Sequence, residues 1–198
     1  MQHADPLIES ARKGNDHAFN KLVGLWYKRI YNYALKYCGN HDTAMEVAQK
    51  TFIVVHSKLP QLRDASSFRP WLYKIALNHC RDEERRFNKR EMTSIHDTEQ
   101  QVTMEVQGKM VSDIDHQPDR KLHRKELASK IVDCLQLLNE DQREVVIMKE
   151  YEGLKFREIA ETLDISENTA KSRLYYGLKS MRKLLTEANI NSEYYSYE

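Results

Sequence analysis

The sequence predicts an all-α protein built as two small helical domains joined by a flexible linker. Three observations carry that prediction. No stretch alternates apolar and polar residues with the two-residue period of a strand, whereas apolar residues recur at three- and four-residue steps along most of the chain. Charged residues make up 31% of the composition, and only six Gly and four Pro interrupt it. Between residues 90 and 120 the helical period lapses into Thr, Ser, Asp, His and Gln, which splits the 198 residues into two blocks.

The first block spans residues 5–89. Its opening helix, residues 17–37, offers Phe19, Leu22, Val23, Trp26, Ile30, Tyr33, Ala34 and Tyr37 for burial, and Cys38-Gly39-Asn40 stops it. A second helix covers residues 42–58, with Ala44, Val47, Ala48, Thr51 and Val55 as its core stripe. A third covers residues 67–88, where Phe68, Trp71, Leu72, Ile75, Ala76 and His79 make the expected buried stripe. Pro70 is tolerable there because its missing N–H falls in the first turn. Residues 90–121 form the linker, whose apolar residues lack a sustained period.

The second block spans residues 122–186. Asn139 with Gln142 has the form of a capping box for a helix over residues 140–150, and Gly153 is a suitable stop. Residues 154–163 then place Leu154, Ile159, Ala160 and Leu163 inward and Lys155, Arg157, Glu158 and Glu161 outward. Asp164-Ile165-Ser166 breaks the pattern, with Ile165 as the turn's apolar plug and Ser166 as N-cap of the next helix. That helix buries Ala170, Leu174, Leu178, Met181 and Leu185. From residue 168 to 183 it carries five cations and no acid, although the whole chain is nearly neutral at +1. A short helix, a sharp turn and a long basic helix are what a helix-turn-helix needs to lay side chains into a DNA major groove. Thr169, Lys171, Ser172, Tyr175 and Tyr176 fall on its outer faces. Residues 187–198 form a polar tail with Tyr194, Tyr195 and Tyr197.

Composition excludes several classes. Cys38, Cys80 and Cys134 are too few and too scattered for a disulfide framework or a zinc site. Residues 1–8 lack the basic start and apolar run of a signal peptide, and no segment approaches the ~20 apolar residues of a membrane span. A cytoplasmic, reducing location is expected. No nucleophile–base pair, Gly-rich phosphate loop or metal-ligand spacing is present, so no catalytic residue, cofactor or metal is predicted.

Two faces of the first block ask for partners. On residues 42–58, Asp42, Glu46, Gln49, Ile53 and His56 share a face that mixes acid, amide and an aliphatic, with Phe52 beside it. This suits a protein contact, and equally a solvated helix with one exposed Ile. On residues 67–88, Lys74, Asn78, Arg81 and Arg85 align, with Arg86, Lys89 and Arg90 beyond and Tyr73 nearby. Cations around an amide suit phosphates and unstacked bases, while Asp82, Glu83 and Glu84 also allow an intrahelical salt-bridge network.

Three stretches in order, HDTAMEVAQKTFIVVHSKL, SSFRPWLYKIALNHCRDEERR and LNEDQREVVIMKEYEGLKFREIAETLDISENTAKSRLYYGLKSMRKLL, resemble the signature segments of the sigma-70 family. More narrowly they resemble its extracytoplasmic-function (ECF, group IV) sigma factors, over residues 5–185. The resemblance implies sigma region 2 in the first block, sigma region 4 in the second, and two partners, core RNA polymerase and promoter DNA. It implies that Asp42, Glu46, Gln49, Phe52 and Ile53 bind the β′ clamp of the polymerase, with the β flap as a further contact. It implies −10 recognition and melting by residues 62–86, with Asn78 holding an extruded base and Lys74, Arg81, Arg85 and Arg86 on the strand backbone. It implies −35 reading by Thr169, Lys171, Ser172, Arg173, Tyr175 and Tyr176. The linker would thread near the polymerase active-site cleft, and an anti-sigma factor would hold the protein in check. Many relatives carry Glu at the position of Lys50, and Arg or Lys at that of Tyr176.

Two rival classes explain less. An autonomous helix-turn-helix regulator accounts for residues 154–185 but leaves the first block without a purpose. An enzyme, for instance a nuclease, lacks its constellation.

Overall fold

The computed structural model describes the backbone of residues 4–94 and 118–188, with side chains over residues 6–90 and 126–188. Among these residues every regular element is a helix. They are α1 (Ala4–Arg12), α2 (Asp16–Cys38), α3 (His41–Lys58), α4 (Phe68–Ser94), α5 (Pro118–Gln136), α6 (Glu140–Val146), α7 (Phe156–Leu163) and α8 (Glu167–Glu187). Two short 3-10 turns, Leu59–Gln61 and Ala65–Ser67, lead from α3 into α4, and the π-helical turn Ile147–Tyr151 prolongs α6.

In the first block α2 is the central post. Asn15 caps it by accepting the Ala18 N–H at 3.0 Å, and its buried stripe is Ala18, Leu22, Trp26, Ile30, Tyr33, Ala34 and Tyr37. Gly39, at φ 69°, lets the chain turn left-handed so that its N–H reaches the Leu35 carbonyl at 2.9 Å. The next residue, Asn40, caps α3 through the Thr43 N–H at 2.9 Å. Two residues thus end one helix and begin the next. The expected stripe of α3 (Ala44, Val47, Ala48, Thr51 and Val55) is buried, and its small side chains let α3 lie close on α2. The sequence assigned no element to α1. At nine residues it is too short to be stable alone, and it forms by burying Ile8 and Ala11 against its neighbours.

The buried stripe of α4 is Phe68, Leu72, Tyr73, Ala76, Leu77 and Cys80, while Trp71, Ile75 and His79 are half-buried. This corrects the expected stripe. The helix is packed by α2 and α3 on one side and α7 on another, so a single apolar phase does not describe it. Tyr73 is therefore inside, not beside a nucleic-acid surface. The helix also runs on to Ser94, past the start predicted for the linker, because averaging composition over residues 90–120 conceals that its first residues still suit a helix. The remainder of the predicted linker, residues 95–117, and the tyrosine tail lie outside the described residues.

In the second block, Asn139 caps α6 through the Gln142 N–H at 2.9 Å, and Gly153, at φ 62°, turns the chain toward α7. Asp164 adopts the left-handed conformation at φ 57°, Ile165 is partly buried, and Ser166 accepts the Thr169 N–H at 3.0 Å. The expected turn is thus built as the sequence reads. The stripe of α8 differs in one place: Gly177 is buried and Leu178 is 42% exposed. A Cβ at Gly177 would stand 2.7 Å from Val146 Cγ2 and 3.3 Å from Gln142 Cβ, so α6 and α8 cross at that point in near backbone contact.

The two blocks also pack on one another: α7 lies on α4, and α5 and the π turn lie on α2. Gln136 Nε2 donates to the Lys36 carbonyl at 2.8 Å, satisfying one of the last carbonyls of α2. The Tyr73 hydroxyl donates to Glu152 Oε2 at 2.5 Å, Arg69 donates to the Glu152 carbonyl, and Thr162 donates to the Pro70 carbonyl at 3.3 Å.

Candidate nucleic-acid interface

On α8 the cap sets the direction of every side chain that follows. Thr169, Lys171, Ser172, Tyr175 and Tyr176 are all exposed, and the two tyrosine rings meet edge to face with centroids 5.3 Å apart. Lys171 Nζ lies 5.8 Å from the centre of the Phe156 ring, so its ammonium is drawn toward the start of α7. Arg173 stands apart from this set. It borders the buried stripe, is half-buried, and its Nη2 lies 2.8 Å from Asp141 Oδ2 of α6. An acid five residues outside the helix-turn-helix was not legible as its partner.

On α4, Lys74 and Asn78 are exposed and lie one turn apart. Arg85 and Arg86 are exposed further along, each near an acid one turn back: Asp82 at 3.5 Å and Glu83 at 2.8 Å. The salt-bridge reading and the phosphate reading of this face therefore coexist. Arg81 is different. Its Nε and Nη2 donate to the two carboxylate oxygens of Glu144 at 2.7 and 2.9 Å, and Nε lies 3.0 Å from Glu140 Oε1. Glu144 is fully buried, and burial raises its pKa above the usual carboxylate range, with Arg81 pulling the other way. Trp71, expected in the core, keeps part of its surface one turn before Lys74 and Ile75, tilted against Phe68.

On α3, Asp42, Glu46, Gln49 and Ile53 are exposed together, Ile53 at 69%. Phe52 does not share this face. It is buried, with its ring stacked on Tyr27 at 5.9 Å, because position 52 turns toward α2. Lys50 joins Glu46 at 2.6 Å to Glu83 of α4 at 2.8 Å, which fixes the back of this face and holds the Glu46 carboxyl below its ordinary pKa.

Comparison with known proteins matches two family descriptions to the two blocks: "Sigma-70 region 2" over residues 22–91 and "Sigma-70, region 4" over residues 128–181. The RNA polymerase sigma-H factor of Pseudomonas aeruginosa is 28% identical over 179 residues, covering 90% of this chain and 92% of that one. The ECF RNA polymerase sigma-E factor of Haemophilus influenzae is 28% identical over 169 residues, covering 85% and 88%. Among solved structures, the sigma factor RpoE of Bartonella quintana, crystallised with the anti-sigma factor NepR, superposes with a TM-score of 0.66. That likeness covers 85% of this chain and 96% of the other at 19% identity, and it concerns the fold.

Proposed function

We propose, from the premise that this chain belongs to the sigma-70 family and to its extracytoplasmic-function group, that it binds core RNA polymerase and directs it to promoters. There it recognises the −10 and −35 elements and opens the strands. One observation carries the reading: the two family-matched blocks each end in a long helix that turns an exposed polar and cationic face outward. In this reading residues 5–89 are region 2, residues 122–186 are region 4, and residues 90–121 connect them.

Asp42, Glu46, Gln49 and Ile53 would meet the β′ clamp, their acids and amide ringing one exposed aliphatic. Asn78 would hold an extruded base, a step that costs a few kcal/mol and needs nearby cations to offset it. Lys74, Arg85 and Arg86 are placed to supply them along the strand backbone. Thr169, Lys171, Ser172, Tyr175 and Tyr176 would read the −35 duplex, with Arg173 bracing α8 through Asp141. The polymerase performs the chemistry; this chain contributes recognition and opening, in the cytoplasm where polymerase works. No described helix is long and apolar enough to cross a membrane. An anti-sigma factor as regulator is part of the same proposal, by analogy with the Bartonella complex.

Run-off transcription tests it. Reconstituted core enzyme and a genomic fragment library should give defined start sites only when the chain is added. Stable, specific duplex binding by a polymerase-free dimer, with no dependence of transcription on the chain, would favour the autonomous regulator instead.

A further inference from the structure

The contact between the two blocks is ionic where it covers α4, and its charges cross. Arg81 of α4 chelates Glu144 of α6, and Arg143 of α6 donates to Glu84 of α4 at 2.6 Å. Residues 143 and 144 are adjacent on one helix, and residues 81 and 84 are one turn apart on the other, so the two pairs lock side by side. Tyr37 joins them: its hydroxyl donates to Glu84 Oε2 at 3.1 Å, and the Arg143 guanidinium lies 4.6 Å over its ring. A two-pronged guanidinium–carboxylate clasp has the geometry with which Arg holds a phosphate. Glu140, 3.0 Å from the same Nε, adds a second anion to the seat.

We propose that α6 is an internal ligand of the strand-binding face. Glu144 and Glu140 occupy on Arg81 the place of a promoter-strand phosphate, Arg143 pins Glu84, and the free chain is thereby held closed. This rests on the proposed sigma function, because it assigns Arg81 to the strand. Closure explains why one cation of that face is sequestered while Lys74 and Asn78 remain exposed. The blocks separate at this clasp before Arg81 meets DNA. Charged pairs suit a separable contact: apart, all four groups regain water, whereas losing one partner in place would strand a buried charge.

The test uses the full chain and three variants that each remove one negative charge. Glu144→Gln and Glu84→Gln break the crossed pairs, and Asp141→Asn breaks only the pair within the second block. Radius of gyration by small-angle scattering reports closure, and anisotropy of fluorescein-labelled dT20 reports access to the strand-binding face. The clasp predicts that Glu144→Gln and Glu84→Gln expand the free chain and bind dT20 roughly three- to tenfold more tightly than wild type, while Asp141→Asn does neither. Equal behaviour of all three variants, or no expansion in either crossed-pair variant, overturns it. If Glu144→Gln loses helical circular dichroism, Glu84→Gln decides, since Glu84 is half-exposed. Run-off transcription by the wild type separates the two ideas. A chain that shows the expansion yet never supports initiation keeps the clasp and refutes the sigma assignment. Normal initiation without the expansion refutes the clasp alone.

Discussion

At the scale of single residues, the side chain that is missing at position 177 matters as much as those present. Glycine in a helix interior ordinarily costs about 0.5–1 kcal/mol relative to alanine. Here the added methyl would stand 2.7 Å from Val146 Cγ2, and overpacking of this kind costs about 1–3 kcal/mol. The second effect exceeds the first, so Gly177→Ala should destabilise the protein by about 1–2 kcal/mol in urea unfolding, and Val146→Ala in the same chain should recover part of the loss. A gain in stability would mean that α6 and α8 are further apart than described. This contact was not legible in the sequence, because Leu178 satisfies the apolar period as well as Gly177 does. The capping residues were legible. Asn139 and Ser166 act through bonds three residues away, which the sequence states directly.

Among the elements, α3 and α4 show where periodicity succeeds and where it fails. A helix buried along one stripe reveals that stripe, and the predicted core of α3 is its observed core. Phe52 escaped because it lies at the border of the stripe, where spacing cannot tell inward from outward and only the Tyr27 ring decides. The helix α4 is packed from several sides, so Tyr73 and Cys80 were unexpected insiders. Its cations were found, but not the acids of α6 that bind Arg81, since those lie some sixty residues away in the chain. The face of α3 that survives, built around Ile53, yields an element-scale prediction. Ile53→Glu should leave thermal stability within about 0.5 kcal/mol of wild type, because the side chain is 69% exposed. The same change should weaken binding to core polymerase at least tenfold in a fluorescence or competition assay, as expected for an apolar anchor at an interface. Unaltered core binding would return this face to ordinary solvation.

For the whole molecule, two grips on DNA are assigned to two blocks, and the question is whether they act independently. The net charge of +1 over 198 residues gives little long-range attraction, so binding must come from local clusters on α4 and α8. Lys171→Ala removes an exposed cation from the duplex-reading helix. It should weaken closed-complex formation and flatten the dependence of affinity on salt by about one contact. Asn78→Ala leaves those cations intact and should instead lower the permanganate reactivity of melted thymines, with closed-complex affinity little changed. If the blocks separate before engaging DNA, the two sites share no contact once bound, and their effects on initiation should add to within about 0.5 kcal/mol in the double variant. A larger coupling would show that the blocks still press on each other in the open complex, as they do through Arg81 and Glu144 in the free chain.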